Sequence, residues 1–65
     1  MKINPRALEL ATINAGISYR ALAAKAGTSA ATISYILGGK VCRVETVSKL
    51  ARALGVDPAD LIQEG

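Results

Sequence analysis

Apolar residues recur at intervals of three and four along most of the chain, in runs too short for one long helix and repeatedly stopped by glycine. Leu8, Ala11 and Ala15 fall on one helical face, as do Leu22, Ala23 and Ala26. The pattern repeats in Ile33, Ile36 and Leu37, in Val47, Leu50, Ala51 and Leu54, and in Leu61 with Ile62. This period predicts five short helices, near 5–15, 18–26, 29–37, 45–54 and 58–63, and no alternating strand. Their inward faces can meet in one core, so residues 1–65 read as a single all-α, compact five-helix domain.

Local chemistry supports the same divisions. Asn4 can cap the first helix, Pro5 suits its opening position, and Ile3 with Leu8 forms a hydrophobic staple. Ser18 opens the second helix, with Ile17 and Leu22 as the matching staple. Asp57-Pro58 opens the last, flanked by Val56 and Leu61. Gly16, Gly27, the Gly38-Gly39 pair and Gly55 each follow a helical run, where a left-handed residue closes a helix at little steric cost. The fourth helix has no conventional cap.

Composition narrows the core. Phe and Trp are absent and Tyr19 and Tyr35 are the only aromatics, so Leu, Ile, Val and Ala must fill the interior. A chain of 65 residues buries only about 60% of its unfolded surface, which limits it to a simple fold. One cysteine, Cys42, allows no internal disulfide and points to a reducing compartment. No apolar run nears the ~20 residues that span a bilayer, and no leader segment is recognisable. Cytosol is the expected setting, without a membrane partner.

Charge changes the picture through its distribution more than through the net +3. No acidic residue lies between Glu9 and Glu45, whereas Arg20, Lys25, Lys40 and Arg43 all do. Asp57, Asp60 and Glu64 collect near the end. A polyanion would therefore meet the middle of the protein in preference to its end. Taken alone, the same spacing is also compatible with ordinary solvated surface charges.

The stretch around 18–38 stops one helix at Gly27 and begins another within two residues. Helices joined so tightly cross steeply, in helix-turn-helix geometry. Ala23 is small enough for a close crossing, Gly27 suits the turn, Ser29 can cap the new helix, and Ile33 and Ile36 face the core. Within this frame "LAAKAGTSAATISYILGGK" resembles the helix-turn-helix signature of the lambda-repressor-like, or Cro-like and xenobiotic-response-element, DNA-binding family. "VETVSKLARALGVDPADLI" is similar to the two helices that follow in that family. The resemblance spans nearly the whole chain and implies a five-helix domain that binds double-stranded operator DNA as a homodimer, with helix 29–37 in the major groove.

Two departures from the family pattern are informative. Family members commonly pair an arginine late in helix one with a glutamate at the end of helix three; here Thr12 and Leu37 stand there. Both charges are lost together, which spares the cost of one buried unpaired charge and predicts that Thr12 and Leu37 touch. The family also favours Gln, Arg or Asn for base reading, whereas this chain carries Ser29, Ala30, Ala31, Ser34 and Tyr35 along the corresponding stripe. Alanine methyls can pack on thymine methyls, hydroxyls can make single bonds, and DNA shape supplies the remaining discrimination. Tyr35 has a second possible use, filling a gap between helices.

Phosphate contacts need donors at helix starts and in the following loop. Ser18, Tyr19, Arg20 and Thr28 meet the first condition; Lys40 and Arg43, in the loop "GGKVCR", resemble the family's backbone-clamping cations. Lys2 is placed in a mobile arm. Val56, Pro58, Leu61 and Ile62 are expected to form the dimer interface. Leu10 and Ile13 lie off the core face of helix one, either partly buried or available to a second molecule.

Catalysis finds no support: histidine is absent, and no metal-ligand cluster, carboxylate pair or phosphate-binding glycine loop occurs. No metal, cofactor or small-molecule ligand is expected. The function on this reading is transcriptional regulation, by a repressor or Cro-like protein of phage, mobile-element or bacterial origin. The alternative is a protein-interaction module that keeps the helices without reading DNA.

Overall fold

Asn4 sets the first helix in place. Its Oδ1 accepts the amide protons of Arg6 and Ala7 at 3.0 and 3.5 Å, and Pro5 occupies the first turn, where no amide proton is needed. The computed structural model describes residues 1–62. It contains four α-helices: α1 Pro5–Ala15, α2 Tyr19–Ala26, α3 Ala30–Leu37 and α4 Val44–Leu54, followed by a 3-10 turn at Pro58–Asp60. Among the described residues no helix is long and apolar enough to cross a membrane.

Ser18 Oγ accepts from the Ala21 amide at 3.1 Å and Ser29 Oγ from the Thr32 amide at 3.2 Å, which starts α2 and α3 one residue after each serine. α4 begins at Val44 behind Arg43, whose side chain makes no cap bond. α2 lies across α4 and α3, and α4 in turn meets α1 and the 3-10 turn. Ile3, Leu8, Leu22, Ile33, Ile36, Val47, Leu50 and Leu61 are fully buried between them. Each contributes about 1.5–3 kcal/mol of hydrophobic stabilisation, and the alanines Ala23, Ala26, Ala51 and Ala53 let the helices approach.

The expected fifth helix is a 3-10 turn instead. Asp57 Oδ1 accepts from the Ala59 amide at 2.9 Å, and the Asp60 and Leu61 amides bond three residues back, to Asp57 and Pro58. The Leu61 carbonyl accepts the Asn4 amide proton at 2.8 Å. Ile62 then forms an isolated antiparallel bridge with Ile3. Position 63, the expected end of that helix, lies outside the described residues.

Three other expectations are corrected. Ala15 is exposed, and Thr12 takes the inward place one turn after Leu8, because its hydroxyl can bond back to the Leu8 carbonyl. Leu61, expected on a self-association surface, is 1% exposed and belongs to the core. Residues 1–4 are not a free arm. Ile3 is buried, Asn4 is bonded to Leu61, and Met1 exchanges two backbone bonds with Cys42.

Candidate nucleic-acid interface

α3 is pinned from behind and open in front. Ile33 and Ile36 are each 1% exposed, while Ala30, Ala31, Ser34 and Tyr35, on the opposite side of the same two turns, are exposed. Tyr35 is the largest of these at 64% exposure, so it does not fill a gap between helices. Three of the four outward residues are no larger than serine, which leaves a shallow, narrow ridge with one projecting phenol.

Ser29 sits at the edge of this ridge in a different role. Its hydroxyl caps α3 through the Thr32 amide and also lies 3.0 Å from Thr32 Oγ1. The cap holds the helix start, and the two bonds occupy two of the hydroxyl's three bonding positions.

The starts of α2 and α3 are built alike. The Leu22 amide bonds to Ser18 O and the Ile33 amide to Ser29 O, and the serine side chains take the amides of Ala21 and Thr32. The two amides that follow each capping serine, Tyr19 and Arg20 in α2 and Ala30 and Ala31 in α3, precede the first intrahelical bond and sit at the positive end of the helix dipole. Ser18 and Arg20 are exposed; Thr28 is half-buried, and its amide is committed to Ala23 O at 2.9 Å. Tyr19 is half-buried and packs against the core. Burial, and after it the Glu9 carboxylate, pushes its phenol above the ordinary value, so it stays a protonated donor near neutrality.

The sharp turn between α2 and α3 rests on Gly27, whose φ is +73° and whose amide bonds to Ala24 O at 3.2 Å. After α3, the loop carries Lys40 and Arg43, both exposed. The Lys40 amide is held by Tyr35 O at 3.1 Å, which fixes the backbone and leaves the ammonium to reach outward. Arg43 precedes α4 and spends no side-chain bond on it. Lys25 stands apart. It shares an open cleft of about 250 Å³ with Lys49 and Arg52, between α2 and α4, in place of joining the cations near α3.

Of the four residues expected at a dimer interface, Leu61 is in the core, Val56 and Ile62 are half-buried against it, and Pro58 is exposed. Leu10 and Ile13 are 53% and 64% exposed on α1, and Leu10 borders a groove that it shares with Leu54, Val56 and Leu61. Sequence reasoning passed over Val41 and Val44, exposed at 74% and 57%, and the pairing of Met1 with Cys42 beside them. The valines could have been flagged as apolar residues outside any core face. The pairing leaves no sequence signal.

Comparison with known families matches residues 6–63 to the family described as Helix-turn-helix domain. No curated protein and no solved structure matches the chain.

Proposed function

The chain belongs to that helix-turn-helix domain family, a DNA-binding family, and on this premise we propose that it is a sequence-specific regulator of the lambda-repressor-like, Cro-like branch. The carrying observation is the two-sided character of α3: isoleucines sealed behind, and Ala30, Ala31, Ser34 and Tyr35 free in front. A helix so presented fits the major groove, and its small side chains allow a deep seat there.

In this reading residues 1–65 act as one DNA-binding domain with the helix-turn-helix at 18–38. Ala30 and Ala31 meet thymine methyls, Ser34 and Tyr35 supply hydroxyl contacts, and Ser29 contributes chiefly by fixing the helix. The leading amides of α2 and α3, with Ser18, Tyr19, Arg20 and Thr28, face one stretch of phosphates, and Lys40 and Arg43 hold another. Few bidentate base contacts are available, so sequence preference leans on DNA shape. The reading requires no metal, cofactor or small-molecule ligand, and such domains are typically non-enzymatic.

The same reading makes the protein a repressor or Cro-like regulator of phage, mobile-element or bacterial origin, working in the bacterial cytoplasm or nucleoid. It binds operator DNA as a homodimer through the Val56, Pro58 and Ile62 surface, with Leu61 holding that surface from beneath. Selection of bound duplexes from a random pool tests this. The expected product is a two-fold site with half-sites about 34 Å apart. Absence of enrichment together with absence of binding at low salt would reject it.

A second reading has one observation in its favour, the exposure of Leu10 and Ile13 on α1. Such a pair suits a protein-interaction module. It predicts negligible duplex binding at any salt concentration.

A further inference from the structure

We propose that Lys2 is a phosphate-contacting residue, held at the DNA interface because the N-terminal segment is clamped to the loop that follows α3. The inference rests on the DNA-binding reading above and extends it to a part of the chain outside the helix-turn-helix.

The clamp is made of backbone. The Cys42 amide donates to Met1 O at 2.7 Å, and the Met1 ammonium donates to Cys42 O at 2.9 Å. Two residues that exchange both bonds form the hydrogen-bonded antiparallel pair, which fixes direction and register together. One residue further along, Lys2 stands across from Val41, next to Lys40 in sequence. Beyond it Ile3 turns into the core at 1% exposure and bridges Ile62, and the Asn4 amide is tied to Leu61 O at 2.8 Å. The segment is therefore fastened on both sides of Lys2.

Side chains alternate along an extended segment, so burial of Ile3 turns Lys2 outward, and Lys2 is exposed. Val41 stands across from it, with Lys40 one residue before Val41 and Arg43 two residues after. A third cation is thereby added to a loop already carrying two. Grouping like charges on a fixed backbone is unfavourable in the free protein and is relieved by a row of phosphates. Because the segment is already ordered, Lys2 reaches a phosphate without the cost of ordering a loose arm.

The test is the salt dependence of binding to a random-sequence 20-base-pair duplex, followed by fluorescence anisotropy, for the intact chain and for Lys2→Ala, Lys40→Ala, Arg43→Ala and Lys49→Ala. Loss of one phosphate contact makes the log-log slope shallower by about 0.9, so the affinity deficit of Lys2→Ala shrinks about threefold between 50 and 200 mM salt. Lys49, exposed on α4 beside Lys25 and Arg52, is the control for net charge and should leave the slope unchanged. An unaltered slope for Lys2→Ala, with Lys40→Ala and Arg43→Ala both shallower, overturns this inference alone and leaves the DNA-binding reading standing. Equal changes in Lys2→Ala and Lys49→Ala also overturn it, by reducing the effect to net charge. If the intact chain shows no salt-dependent binding, the DNA-binding reading fails and the inference falls with it.

Discussion

Thr12 Oγ1 donates to the Leu8 carbonyl at 2.7 Å, and both residues are sealed from solvent, Leu8 at 0% and Thr12 at 4% exposure. Among the described residues Thr12 is the only polar side chain in the core, and its hydroxyl is satisfied one turn back within α1. No partner on another helix is needed, so the position is electrically self-contained.

Substitution at this position separates volume from charge. Thr12→Val keeps the shape and should change stability by no more than about 1 kcal/mol, since the lost hydrogen bond is offset by a less polar interior. Thr12→Arg without an acidic partner should cost about 3–5 kcal/mol, enough to unfold much of a domain this small. If positions 12 and 37 face each other, adding Leu37→Glu to Thr12→Arg recovers part of that loss in urea denaturation. Strict additivity of the two changes would show that they do not.

Gly27 and Gly38 should respond oppositely to alanine. Gly27 has φ +73°, and a Cβ there would meet no atom within 4 Å, so the cost of Gly27→Ala is backbone strain alone, about 1–2 kcal/mol. Gly38 has φ −80°, and a Cβ would make ordinary contacts at 3.5 Å with the Ser34 and Tyr35 carbonyls. Gly38→Ala should be neutral or stabilising by up to about 1 kcal/mol, through the reduced freedom of the unfolded chain. Thermal unfolding of the two variants checks the sign of each.

The same locality explains how much of the architecture could be read in advance. Asn4, Ser18 and Ser29 cap the helices where their types and spacing indicate, because a cap involves residues only two or three apart. The exposed and buried sides of α3 were legible for the same reason, through the period that sets Ile33 and Ile36 against Ala30, Ala31, Ser34 and Tyr35. Asp57-Pro58 marked a start correctly, but an α-helix and a 3-10 turn share that signature. The Asn4 amide that bonds the Leu61 carbonyl comes from a residue too distant in sequence to leave a local signal. Single backbone pairs such as Ile3 with Ile62 and Met1 with Cys42 have no period, so the fastening of the N-terminal segment emerges only from the fold. Ile3→Ala should accordingly cost about 2–5 kcal/mol in denaturant, as for any sealed core residue. A loss of only a few tenths would mean the segment is not part of the core.

Alkaline pH should destabilise the protein by way of Tyr19 and Cys42. Burial raises the Tyr19 phenol, with a smaller push from Glu9. Burial also raises the Cys42 thiol, against a partial opposing pull from the Met1 ammonium. In both cases the folded state holds its proton more tightly than the unfolded state, so the unfolded chain ionises first. The corresponding stability is fully present below the unfolded values and is lost as pH rises from them through the higher folded ones. Melting temperatures measured across that window should fall less steeply for Tyr19→Phe than for the intact chain. Parallel curves would show that the Tyr19 hydroxyl is solvated equally in both states.

Base reading and phosphate holding can be told apart by their different dependence on salt and on sequence. Lys40 and Arg43 project from a loop whose backbone is fixed by the Tyr35 carbonyl, and a cation so placed interacts with any duplex. Lys40→Ala and Arg43→Ala should each flatten the salt slope by about 0.9 and weaken all sequences alike. Tyr35 offers a phenol at 64% exposure on the outward side of α3, so Tyr35→Ala should leave the slope intact and reorder the preferred sites. A lost base contact is worth about 1–3 kcal/mol of discrimination, which competition between duplexes differing at single positions can resolve. If Tyr35→Ala instead flattens the slope and preserves the ranking, the phenol lies against the backbone, and α3 enters the groove rotated from the orientation assigned to it.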